Sequence, residues 1–253
     1  MPDPPDLERY AVQSRVEQVG SRGQQRLVRS KAVVVGVGAL GSTIAQVLVR
    51  SGVGHVVLID GDRAELGNLH RQLLYTEADV EQGRLKVEAA VERLRAANST
   101  VAVEGLPQRL TSSNVEELLG DADVVVDGTD NLATRYVIND LCVRAGIPWI
   151  YGGIAGVHGM VLPIVAGQGP CLRCLFADDP PEVEVPTSQT VGVLGAAPAV
   201  IGALEAAQAI RILTGAFEPP ARLVSIDVWT GETDTLVVKR APGCPTCGSL
   251  PGA

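Results

Sequence analysis

The sequence predicts an α/β fold: a Rossmann-like, doubly wound, mostly parallel sheet extended by antiparallel strands. Three observations predict it. Short β-branched runs alternate with helical patterns through the first half of the chain, as a parallel sheet with crossover helices requires. A glycine-rich turn joins the first of these strands to the first of these helices. In the second half, two strand-like runs flank Thr230-Gly231-Glu232, the pattern of an antiparallel hairpin.

The elements follow in order. Lys31–Val35 (KAVVV) is an apolar strand ending at Gly36, and Leu40–Arg50 is helical in pattern. His55–Asp60 (HVVLID) reads as a buried strand, and Leu85–Ala97 as a charged helix with apolar Leu85, Ala89 and Leu94. Val101–Glu104 is a third strand, Asn114–Leu119 a short helix and Asp123–Asp127 (DVVVD) a fourth strand. Leu132–Ala145 is helical and Ile147–Tyr151 strand-like. Met160–Val165 is a further strand and Val200–Leu213 a small-residue helix, and Arg222–Trp229 and Thr233–Lys239 form the hairpin. The acidic, proline-rich stretch Ala177–Pro186 has no periodicity and reads as a flexible surface loop.

Composition narrows the class. The 253 residues suit one large domain, and 46% hydrophobic content with 20% charged residues is globular. Aromatics are only 3%, so the core must be built from Ala, Val, Leu and Ile. A net charge of −8 offers no footprint for nucleic acid or an anionic membrane. No apolar run approaches the ~20 residues that span a bilayer. The N-terminal MPDPPDLERY lacks the basic and apolar segments of a signal peptide, so a cytoplasmic location is expected.

Gly36-Val37-Gly38-Ala39-Leu40-Gly41 is G-x-G-x-x-G between a strand and a helix, the context in which that motif binds nucleotides. Glycines let the backbone approach a phosphate, and the helix N-terminus offers free N–H groups. Asp60 ends the next strand, placed to accept from a ribose. The motif alone does not choose between NAD and ATP. After Asp60 the chain runs through Asp62, Asn68, Leu69, His70, Arg71 and Gln72, a stretch dense in groups that grip phosphates. Lys86 opens the next helix, and Asp130-Asn131 follow the fourth strand at its C-terminal end. Adenylyl transfer needs cations to neutralise the phosphates and a carboxylate to hold Mg²⁺. Arg71, Lys86 and Asp130 supply them, and no hydride-transfer constellation accompanies the motif.

Of five cysteines, four form C-x-x-C pairs, Cys171/Cys174 and Cys244/Cys247. Four thiolates close a tetrahedral zinc site with no open position, which makes it structural. The alternative, a redox pair, would place a C-x-x-C at a helix start in a thioredoxin-like context. Cys142 sits in an apolar helical pattern and reads as a core residue. His55 and His158 have no visible partner and are given no chemistry, whereas His70 borders the phosphate-gripping stretch.

Taken together, these motifs resemble the MoeB/ThiF family, bacterial relatives of ubiquitin-activating enzymes. The resemblance runs from about Arg9 to Gly248. It is carried by G-V-G-A-L-G at 36–41, L-I-D-G-D at 58–62, N-L-H-R-Q at 68–72, K-V-E-A-A at 86–90, T-D-N-x-x-x-R at 129–135 and the two cysteine motifs. It implies that Asp60 binds the ATP ribose, that Asn68, Arg71 and Lys86 bind its phosphates, and that Asp130 holds Mg²⁺. The four cysteines would hold Zn²⁺. The implied activity is adenylylation of the C-terminal glycine of a ubiquitin-like sulfur carrier ending in Gly-Gly, in molybdopterin or thiamine synthesis or tRNA thiolation. The carrier's tail would thread under the loop around Ala177–Gly192. The alternatives are another acyl substrate, such as a peptide or a tRNA base, or a docking module without turnover. Residues 1–30 would be a helical arm, 31–150 the nucleotide-binding half and 151–253 the carrier-binding half, together one adenylation domain, with a homodimer as the expected assembly.

Three positions depart from that pattern. Val12, in Arg9-Tyr10-Ala11-Val12-Gln13, stands where the family carries an arginine that reaches into the partner's ATP site, and Arg15 is the nearby candidate to replace it. Leu85 stands where a proline is common, and Arg84 competes with Lys86 as a phosphate ligand, although the K-V-E-A-A register favours Lys86. Ser188 occupies the place of a cysteine that many relatives use for a thioester or persulfide. The expectation is therefore release of an acyl-adenylate to a separate sulfur donor, with sulfur delivered by another protein because no rhodanese domain follows the zinc motif.

Overall fold

A computed structural model describes residues 8–176 and 190–250. Its centre is one eight-stranded sheet in the order β3-β2-β1-β4-β5-β6-β7-β8. The strands are β1 (Lys31–Val35), β2 (His55–Ile59), β3 (Ala102–Leu106), β4 (Val124–Asp127), β5 (Trp149–Ala155), β6 (His158–Ile164), β7 (Leu223–Asp227) and β8 (Thr233–Leu236). The first five pair in parallel and the last three are antiparallel. The expected mostly parallel sheet with an antiparallel extension is therefore present.

Strand composition follows position. Central β1, β2 and β4 are covered on both faces, and they are continuous runs of Val, Leu and Ile rather than alternating ones. The outermost strand β8 is exposed along its length and alternates Thr with other residues.

The helices are α1 (Gly20–Leu27), α2 (Ala39–Arg50), α3 (Glu77–Glu81), α4 (Lys86–Ala97), α5 (Val115–Leu119), α6 (Leu132–Ala145), α7 (Leu172–Leu175) and α8 (Ala197–Leu213). One core lies under α2, α4 and α8, and a second lies on the opposite face with α5, α6 and α7. Small residues on α8 let it pack tightly on α2: a Cβ added to Gly202 would lie 2.8 Å from the Leu40 carbonyl oxygen. The short helices α3 and α7 carry too few turns to show a period in the sequence. The strand expected to begin at Met160 begins two residues earlier, at His158, because the β5–β6 hairpin closes tightly at Gly156, whose φ is +63°. Leu85 does not join α4: its backbone is extended, and it caps the helix from outside.

Candidate active site and metal centre

The chain turns away in opposite directions from the C-terminal ends of β1 and β4, and a ligand crevice opens at such a switch point. Here it is a cleft of about 1350 Å³. Glycines shape its floor. Gly36 has φ +82°, and a Cβ there would lie 2.7 Å from the Gly128 carbonyl oxygen. Gly41 is placed below the wall: its Cβ would fall 1.9 Å from the Gly36 carbonyl oxygen, so it serves the close packing of the turn. Gly36, Gly38 and Ala39 face the cleft at the N-terminal end of α2, where no side chain caps the free N–H groups.

Asp60 ties the turn to the next loop. Its Oδ2 accepts from the Val37 N–H at 2.8 Å and its Oδ1 from the Asp62 N–H at 2.8 Å. Asp62 in turn stands between two cations. Its Oδ1 accepts from Arg109 at 2.8 Å, and its Oδ2 lies 3.5 Å from the Nζ of the buried Lys86. Arg109, on the cleft wall, went unnoticed in the sequence because it follows β3 in a segment without a motif.

Arg71 reaches the cleft held from behind. It donates to the Gly67 carbonyl at 3.0 Å and to Asn68 Oδ1 at 2.9 Å, so the three-residue spacing orients the guanidinium. Gln72 is buried beside Gly38, and its Oε1 has no hydrogen-bond partner among the described residues. Asn68, Leu69 and His70 are not part of the cleft wall: Leu69 packs on the core, and the His70 ring bonds the Gly67 carbonyl at 3.1 Å. Arg84 is also turned away, paired with buried Asp79 at 3.3 Å and with Glu92 at 2.6 Å. Lys86 is thus the cation of that pair that faces the cleft.

Across the cleft, Asp130 is exposed on the wall. Asn131 caps α6, its Oδ1 accepting from the Thr134 N–H at 2.9 Å. That role has a local signal, an asparagine just before a helical run. Arg15 is exposed and lies outside this cleft, and Val12 is 77% exposed. Ser188 and the expected loop over 177–186 lie outside the described residues.

The four paired cysteines converge as expected. Their sulfurs lie within 4.8 Å of one another, Cys171–Cys244 at 3.5 Å and Cys174–Cys247 at 3.4 Å. Those two separations are too long for a disulfide and lie a few tenths of an ångström below the ~3.8 Å edge of a zinc–thiolate tetrahedron. Burial raises the Cys244 thiol, but hydrogen bonds from the N–H groups of Cys247 and Thr246, together with those from the Cys171 and Cys247 side chains, leave it below the ordinary thiol range. Burial alone pushes Cys142 up to about 12, as befits a core residue.

A glycine turn under a helix N-terminus, an anchored acid and facing cations define a nucleotide-binding α/β domain, here joined to a cluster of four cysteines that could hold a metal ion. The chain belongs to the ThiF family, whose model matches residues 10–246. It is 45% identical over 252 residues to the sulfur carrier protein adenylyltransferase of Thermus thermophilus, covering 97% of this chain and 92% of that one. It is 39% identical to the SAMP-activating enzyme E1 of Haloferax volcanii, covering 97% and 90%. Among solved structures it is similar to Escherichia coli MccB with ATP, at a TM-score of 0.78 and 26% identity over 90% of this chain and 68% of that one.

Proposed function

We propose that this chain is an ATP-dependent adenylyltransferase that activates the C-terminal glycine of a ubiquitin-like sulfur carrier and releases pyrophosphate. The observation that carries the reading is the set of charges around one cleft: Arg71, Lys86 and Arg109 face the glycine turn, and Asp130 stands opposite. The names of relatives covered almost end to end support the substrate class.

The residues fit ATP. Gly38 leaves the turn open, the α2 N–H groups point at the phosphates, and Asp60 retains lone pairs for the ribose. Lys86 and Arg109 share Asp62 until the triphosphate offers a stronger partner. Arg71 and Lys86 then offset the charge that grows on the α-phosphate as the carrier's carboxylate attacks. Asp130 would hold Mg²⁺, which neutralises the departing pyrophosphate. The thiolate set suits Zn²⁺, which would tie the C-terminal knuckle to α7 and its N-cap residue Cys171 and leave no position for catalysis.

The whole chain would act as one adenylation unit. A homodimer, a separate sulfur donor and a cytoplasmic setting belong to the same reading. Among the described residues no helix is long and apolar enough to cross a membrane. ATP–pyrophosphate exchange with carriers ending in Gly-Gly tests it. Exchange that requires the carrier and disappears in Arg71→Ala supports the reading. ATP binding without exchange for any carrier points to another acyl substrate, and absence of ATP binding points to a docking module.

A further inference from the structure

Arg135 lies on the cleft wall, yet none of the roles above uses it. Its guanidinium is held on several sides. Nε donates to Asp127 Oδ2 at 2.7 Å, and Nη2 donates to the carbonyls of Thr129 at 2.7 Å and Gly152 at 2.8 Å. The group also lies 5.1 Å from the Tyr151 ring centroid. Asp127 is fully buried, and its Oδ1 accepts from both the N–H of Thr129 at 2.9 Å and its hydroxyl at 2.6 Å.

Thr129 is therefore gripped at its N–H, its hydroxyl and its carbonyl, and the next residue is Asp130. The loop is pinned on either side as well. A Cβ on Gly128 would fall 2.2 Å from the Gly36 carbonyl oxygen, and Asn131 caps α6. The backbone that carries the exposed Asp130 carboxylate is thereby fixed, so that only the side-chain rotamer remains free. A metal site gains affinity when its ligands are oriented in this way.

We propose that Arg135 is a positioning residue that, with Asp127, holds the Thr129–Asp130 loop so that Asp130 meets the divalent cation. The proposal rests on Asp130 being the Mg²⁺ holder. Arginine suits the place because its planar fork serves a carboxylate and two carbonyls in fixed directions, a geometry that the point-like lysine ammonium reproduces only in part.

Mn²⁺ binding, followed by electron paramagnetic resonance with a non-hydrolysable ATP analogue, tests it on the intact chain. Three variants are compared: Arg135→Lys, the double variant Asp127→Asn with Arg135→Gln, and Asp130→Ala. The double variant removes the pair without leaving a buried charge, so it guards against simple unfolding. Melting temperature and zinc content report that each variant is folded. The expected result is Mn²⁺ affinity weakened by about tenfold or more in the double variant, the scale seen for groups that orient metal ligands. Arg135→Lys falls between it and the wild type. Analogue binding without metal stays as in the wild type. Undiminished Mn²⁺ affinity in folded Arg135 variants, with loss in Asp130→Ala, overturns the proposal alone. A fall in metal-free analogue affinity would make Arg135 a phosphate ligand and also overturn it. Full Mn²⁺ binding in Asp130→Ala would remove the reading of Asp130 itself, and the proposal with it.

Discussion

The carboxylate of Asp140 on α6 accepts two hydrogen bonds from Arg173, at 2.9 and 2.7 Å, and so fastens the first cysteine pair to the helix. Thr246 of the second pair donates to the same carboxylate at 2.8 Å. One acid thus joins both halves of the four-cysteine cluster, while Asn139 accepts from the Leu172 N–H at 2.9 Å. Removing Asp140 should loosen the knuckles before it unfolds the sheet. Asp140→Ala is expected to lose roughly 1–2 kcal/mol of stability, a discounted value for charged hydrogen bonds at a partly exposed site. It should also release zinc to a chelating dye faster than the wild type. Unchanged release kinetics would mean that the cysteines alone set the geometry.

Lys86 and Arg84 separate the two candidate phosphate ligands experimentally. Lys86 is buried at the cleft beside Asp62, whereas Arg84 is engaged by Asp79 and Glu92. Lys86→Ala should lower carrier-dependent pyrophosphate exchange by about 10²–10³-fold, the usual cost of a cation or donor that meets transition-state charge. Arg84→Ala should cost stability and leave exchange near wild type. The reverse pattern would reassign the phosphate contact to Arg84.

Gly41 tests the shape of the turn without touching a charge. Its missing Cβ is what allows the Gly36 carbonyl to sit against α2, so Gly41→Ala must displace one or the other. The expected cost is about 1–3 kcal/mol from overpacking, with weaker ATP binding measured by titration calorimetry. A variant that binds ATP normally at wild-type stability would show that the turn relaxes freely.

The parts legible in the sequence were those whose signal is local. The glycine turn, Asp60 and the two cysteine pairs each announce themselves within a few residues of a strand or of each other. Lys86 is separable from Arg84 by the K-V-E-A-A segment that carries the family resemblance. The sheet order, by contrast, brings Arg109 and Tyr151 to the cleft wall from distant segments, and neither carries a motif. Arg135 stood inside a recognised pattern, but its bond to Asp127 depends on how β4 turns into α6. Asn68, which the resemblance assigns to the phosphates, also accepts a hydrogen bond from Arg71, a contact set by the compact turn that begins at Leu66 and not visible in the sequence.

Glu205 gives the final prediction. It projects from α8 beneath Gly152, where a Cβ would come within 2.1 Å of its carboxyl, and neither of its oxygens has a hydrogen-bond partner among the described residues. Burial, and then the Asp127 carboxylate, push its pKa well above the usual 4.5, against the opposing pull of Arg135. The folded protein therefore keeps a proton that the unfolded chain gives up. For a raised acid pKa the associated stability is fully present below the unfolded value and is lost as pH rises toward the folded one. Each unit of pH in that window should cost about 1.4 kcal/mol for the one proton. Glu205→Gln mimics the protonated form and cannot ionise, so its unfolding free energy should fall less steeply between about pH 5 and 8. Denaturant melts of both proteins at those two pH values measure the difference. Equal slopes would mean that Glu205 is ionised in the folded state, with Arg135 shared between two carboxylates.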